Sequence, residues 1–136
     1  MNEQSFEETV ARICEKDLSY DMEAYFFMRD ALAYATKKHK RTPENRHVTG
    51  QELSEAIREF AISEFGPITH LVLTEWGLSE TADFGEIVYS LINEGVFGKT
   101  EGDRKEDFAD VFDFEEAFLQ PFEPDMPGLP PEDKKS

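Results

Sequence analysis

At 136 residues the chain is long enough for one domain with a sizeable core and needs no staples. A formal net charge of -16 disfavours nucleic acid and anionic surfaces as ligands, and charged residues break every apolar run before it reaches the ~20 residues of a membrane span. One cysteine excludes an internal disulfide, and with no basic-then-apolar leader the expected location is the cytoplasm.

Ser5-Phe6-Glu7-Glu8 has capping-box spacing, and Phe6, Val10, Ile13 and Cys14 follow on one helical face, which predicts a first helix ending near Lys16. Residues 22–39 contain neither Gly nor Pro and set Met22, Tyr25, Phe26, Leu32 and Ala33 along a broad apolar band, the second helix. A polar loop over 41–48 leads to Thr49-Gly50-Gln51-Glu52, another capping box, with Leu53, Ile57, Phe60, Ala61 and Phe65 at helical spacing behind it. Gly66-Pro67 turns the chain into a fourth helix through Ile68, Leu71, Val72 and Trp76, ended by Gly77. After Leu78-Ser79-Glu80 a fifth helix carries Phe84, Ile87, Val88, Leu91 and Ile92 and closes at Gly95.

Val96–Thr100 reads as extended, Glu101-Gly102-Asp103 as a turn, and Phe108, Asp110, Phe112 and Phe114 alternate with Ala109 and Val111, the pattern of a two-stranded ribbon. Asp113-Phe114-Glu115-Glu116 is a third capping box and predicts a short helix through Leu119. Pro121, Pro124, Pro127 and Pro130 recur every third residue, the repeat of a polyproline II turn, in an acidic tail over 121–136 that is a terminus or a ligand motif for an aromatic groove. The fold expected is therefore mainly helical: five helices with a small two-stranded β-ribbon in one domain over 1–120. Its second half, about 49–113, has the element order of a winged-helix-like unit.

The charge is unevenly spread. Residues 1–36 hold eight acids and three bases, 51–100 nine and two, and 101–136 twelve and four, whereas 37–50 hold five bases and Glu44 alone. In the fifth helix, where a DNA-reading unit would be basic, stand Glu80, Asp83, Glu86 and Glu94. With Trp76, which is either core or an exposed anchor, they form the candidate interaction surface for a basic protein partner. The basic candidates are Lys37, Lys38, Lys40, Arg41, Arg46 and His47. They serve either to complement a helix end or to touch phosphate or an acidic partner.

Recognisable catalytic chemistry is sparse. One Cys and His39, His47 and His70 lack the spacing of a transition-metal site, so no metal or cofactor is assigned. Acids crowd residues 101–113, but no register fits an EF-hand loop, which leaves a loose divalent site open. Cys14 lies on the apolar face of the first helix, where a thiol is inert. Asp83-Phe84-Gly85 stands without the other parts of a kinase, and no phosphate loop, dinucleotide fingerprint or nucleophile elbow occurs. No catalytic residue is named.

Taken in order, His47-Val48-Thr49-Gly50-Gln51-Glu52-Leu53, Phe65-Gly66-Pro67, Glu75-Trp76-Gly77, Asp83-Phe84-Gly85-Glu86-Ile87-Val88, Gly98-Lys99-Thr100 and Glu106-Asp107-Phe108 resemble a family of small bacterial proteins, the conserved hypothetical family of planctomycetes and verrucomicrobia. The resemblance spans about residues 4–122 and implies a bacterial cytosolic setting, with no activity, cofactor or site residue attached. The function expected is a non-enzymatic protein-interaction or regulatory module, with homo-oligomerisation open. The alternatives are a nucleic-acid binder using the basic segment 37–46 and a small hydrolase working through carboxylates or a metal.

Overall fold

The structure, a computed structural model, describes residues 3–39, 48–97 and 104–123. Five helices of seven residues or more run as α1 (Glu3–Lys16), α2 (Met22–Lys38), α3 (Gly50–Phe65), α4 (Thr69–Glu75) and α5 (Thr81–Asn93), and a one-turn helix α6 (Phe114–Phe118) follows. Short 3-10 turns at Gly66–Ile68, Lys105–Phe108 and Gln120–Phe122 join or extend them.

Local chemistry sets most of the helix ends. Asp21 accepts a hydrogen bond from the Glu23 N–H at 2.8 Å to cap α2. Thr49 and Glu52 bond reciprocally at 3.0 Å, the capping box expected for α3. α4 and α5 end alike: Leu78 N–H reaches the Leu73 carbonyl and Gly77 N–H that of Thr74, as Val96 reaches Leu91 and Gly95 reaches Ile92. Gly77 and Gly95 have φ of 95° and 80°, the left-handed position that glycine occupies without steric cost. α1 begins at Glu3, ahead of the box expected at Ser5.

α2 packs along α3, and α5 lies against both. Tyr25, Met28, Ile57, Leu73, Phe84, Ile87, Leu91 and Phe118 are fully buried between them. The faces expected for α1, α3 and α5 are the ones buried, whereas α2 is rotated. Ala24, Phe27, Met28, Ala31 and Ala35 are buried with Tyr25, while Met22 and Ala33 are exposed. With α1, α3 and α5 all against α2, its small residues take the close contacts, and the wide aromatic band spreads to the flanks.

The ribbon is not there. Among the described residues no strand occurs. Phe108 closes a 3-10 turn, Asp110 takes a left-handed φ of 53°, and Phe114 opens α6. The hydrogen bonds a partner strand would have made go to one side chain instead. Thr81 Oγ1 donates to the Phe108 carbonyl at 2.6 Å and accepts from the Val111 N–H at 3.1 Å. The alternation of Phe112 and Phe114 marks an aromatic cluster with Phe84 and Phe118, ring centroids 5.1–6.2 Å apart. Among the described residues there is thus no wing, and α3 to α5 are three consecutive packed helices. The expected first strand, beyond Phe97, lies outside the described residues, as does the tail from residue 124.

Two segments are stitched onto the start of α5. From one side the α1–α2 loop approaches so closely that a Cβ on Gly77 would sit 2.4 Å from the Ser19 carbonyl oxygen. Asp21 N–H bonds the Trp76 carbonyl at 3.0 Å, and Tyr20 Oη donates to Asp83 at 2.7 Å. From the other side Lys105–Phe108 seats on two glycines: a Cβ on Gly50 would meet Asp107 at 2.8 Å, and one on Gly85 would meet the Phe108 ring at 2.9 Å.

Candidate functional site

Where the second segment leaves α5, a cleft of about 330 Å³ opens. Ser79, Glu80 and Thr81 form one wall, Asp110 and Asp113 the other, and Phe112 and Phe114 the apolar part. Each wall follows from local folding. The turn after Gly77 delivers Ser79 and Glu80 ahead of α5, the buried Thr81 hydroxyl holds the returning chain, and the left-handed Asp110 swings that chain outward. Asp113 caps α6 by accepting from the Glu116 N–H at 3.1 Å. Phe112 is half-buried against Phe84 and Phe118.

Of the five residues expected to form an interaction surface, Trp76 and Asp83 are engaged within the fold, and Glu80, Glu86 and Glu94 are exposed. Trp76 is half-buried, its ring 5.5 Å from that of Phe27 and 5.6 Å from that of Phe65, so it belongs to the core. Asp83 is turned back to the start of α5, where it accepts from the N–H groups of Ser79 and Glu80 at 2.8 and 3.1 Å and from Tyr20. Glu86 pairs with Lys105 at 3.3 Å and Glu94 with Arg12 at 3.2 Å. All four of these charged partners are partly or largely exposed, and such pairs contribute about 1 kcal/mol at most. They nonetheless place a cation beside each acid. Glu80 alone of the five lines the cleft.

Among the described residues no cation pairs with Glu80, Asp110 or Asp113. Three carboxylates beside phenyl rings can receive an ammonium or guanidinium group, which gains from both charge and ring face. No histidine lines the cleft, and its one serine hydroxyl donates to Asp83 at 3.3 Å.

The basic island is partly committed. Lys38 bonds Glu59 at 2.5 Å, which with the Tyr34 hydroxyl holds the Glu59 carboxyl below its ordinary range. His39 Nδ1 lies 3.8 Å from a Glu52 carboxylate oxygen. Lys37 is exposed, and Lys40, Arg41, Arg46 and His47 fall outside the described residues. Cys14 is half-buried. Its thiol is raised by burial first and then by Asp21 and Asp17, which keeps it protonated and unreactive. Among the described residues no three His, Cys, Asp or Glu side chains converge as metal ligands, and no helix is long and apolar enough to cross a membrane.

Ser79, Thr81, Phe112 and Phe114 have no place among the expected site residues, and Asp110 and Asp113 enter there only through the acidic 101–113 segment. Asp113 had a visible capping signal, but the link from Thr81 to Phe108 spans 27 positions and has no local signature. Comparisons with protein-family models, with curated proteins and with solved structures return no match.

Proposed function

We propose that the chain is a non-enzymatic protein-interaction module that receives a lysine or arginine side chain of a partner protein in the cleft at the start of α5. The observation that supports this reading is the division among its acids. Those along α5 are matched to Lys105 and Arg12, whereas Glu80, Asp110 and Asp113 face one cleft with no cation among the described residues. The overall negative field raises the encounter rate with basic partners, and the phenyl rings give an inserted cation an apolar surface to lie against.

Titration calorimetry with an Arg-Gly repeat peptide at low and moderate salt tests the proposal. Binding weakens with salt and falls about tenfold or more, which is about 1.4 kcal/mol, in Glu80→Gln/Asp110→Asn. Glu86→Gln and Glu94→Gln, which already have partners, leave it unchanged. Equal loss in both sets of variants shows only a diffuse charge effect and sinks the cleft as the site.

A further inference from the structure

The helical spacing of Ile68, Leu71, Val72 and Trp76 reads as a buried face, yet Ile68 and Leu71 are 54% and 58% exposed. The turn at Gly66, with φ of 57°, and the Thr69 hydroxyl bonded to the Gly66 carbonyl at 2.6 Å set the phase of α4. Thr69 and Leu73 therefore point inward. Ile68 and Leu71, three residues apart, share the outer face, and Pro67 beside them is also exposed. The other exposed large apolar side chains, Leu18, Met22 and Leu119, lie in a loop or at helix ends, the scattered exposure common on protein surfaces.

The charge around this ridge is one-sided. From residue 59 to residue 98 the sequence has no Lys or Arg, so every acid there depends on a cation from elsewhere in the chain. Glu59, Glu86 and Glu94 obtain one from Lys38, Lys105 and Arg12. Glu64, just before the Gly66 turn, and Glu75, one helical turn beyond Leu71, are exposed and obtain none among the described residues. α6, packed beside α4, adds the exposed Glu115 and Glu116.

We infer that the Ile68–Leu71 ridge is a second docking surface, separate from the cleft, for an amphipathic helix of a partner protein that carries Lys or Arg beside its apolar stripe. The aliphatic pair supplies the apolar contact and the exposed carboxylates select the flanking charge. A second copy of this chain fits poorly, since a two-fold contact would set Glu64 and Glu75 against their own equivalents at a net charge of -16 each. An anionic membrane surface is repelled for the same reason.

The probe is a helical peptide with Leu along one stripe and Lys at its flanks, followed by amide chemical-shift mapping and calorimetry. A control peptide has Glu in place of Lys. The Leu/Lys peptide shifts the α4 amides and binds about tenfold or more weaker to Ile68→Ser/Leu71→Ser, several-fold weaker to Glu64→Gln/Glu75→Gln, and unchanged to Asp110→Asn. The Leu/Glu peptide does not bind. Both aliphatic side chains are exposed, so the serine variant keeps its fold, which circular dichroism checks. Should it unfold, Leu71→Gln and the shift map of the native chain decide the matter. No binding to the native chain, or full binding to Ile68→Ser/Leu71→Ser, overturns the inference. Loss in Asp110→Asn alone moves the peptide to the cleft, which overturns the ridge and leaves the cleft standing. A dimer in sedimentation that Ile68→Ser/Leu71→Ser makes monomeric reassigns the ridge to self-contact and also overturns it.

Discussion

The two segments stitched to the start of α5 use the same means to opposite ends. The α1–α2 loop and the chain from Arg104 to Asp113 each close on glycine, and each is fastened by a hydroxyl, Tyr20 in one and Thr81 in the other. On the first side the acids meet partners: Asp83 takes Tyr20, Ser79 and Glu80, and Asp21 takes Glu23 while its N–H meets Trp76. On the second side the fastening holds the Phe108 carbonyl and the Val111 N–H, and Asp110 between them and Asp113 after them open onto the cleft with no cation among the described residues. Carboxylates in one small protein thus divide into those matched by a cation or turned inward and those that open onto a cleft, where Asp113 also caps α6, and proximity to α5 does not decide which is which.

The sharpest way to break the closed side is Gly77→Ala. A positive φ and a Cβ 2.4 Å from backbone oxygen cannot be relieved by a side-chain rotation, so the loss is about 3 kcal/mol. A drop in the denaturation midpoint with unchanged m-value measures it. Thr81→Val tests the other side, since it keeps the shape but strands the Phe108 carbonyl and the Val111 N–H, at about 2 kcal/mol. Hydrogen exchange separates the two variants: Thr81→Val loosens 105–113, whereas Gly77→Ala loosens 17–21. If Thr81→Val loosens both regions equally, they are not independent units.

Tyr20→Phe has the smallest effect, about 1 kcal/mol at neutral pH. Its sign with pH is specific. Burial first, then the Asp83 hydrogen bond and the charges of Asp83 and Glu86, raise the Tyr20 phenol well above its ordinary value. A raised folded pKa contributes stability that is full below the unfolded value, about 10, and is lost as pH climbs from there toward the folded value. The gap between native chain and variant therefore narrows above about pH 10. Tyr25, pushed up to about 12, mainly by burial, remains in both and keeps some alkaline loss in the variant. A constant gap to the end of the alkaline range refutes the assignment.

Legibility followed the distance over which each feature is decided. The Thr49–Glu52 box and the Gly95 ending of α5 are settled within a few residues and read correctly. So does the buried stripe Phe84, Ile87, Val88 and Leu91, because α5 turns one face inward. α4 is legible as a helix but not in its phase, because seven residues are too few to fix a phase that a preceding 3-10 turn can rotate. The ribbon misled because Phe112 and Phe114 alternate for an aromatic cluster, a pattern that spacing alone does not distinguish from a strand. Of the site, Glu80 was visible and its setting was not: Arg12 meets Glu94 across 82 positions, and only such long-range pairs show which acids are left over.

The chain has one tryptophan, and its indole packs against the rings of Phe27 and Phe65, one residue before the close approach at Gly77. Intrinsic fluorescence of the native protein thus reports a single, known location where α2, α3 and the end of α4 meet. A ligand in the cleft or on the ridge that leaves emission unchanged binds a preformed surface, whereas one that shifts it has moved the junction itself. No dye or engineered label is required to tell the two apart.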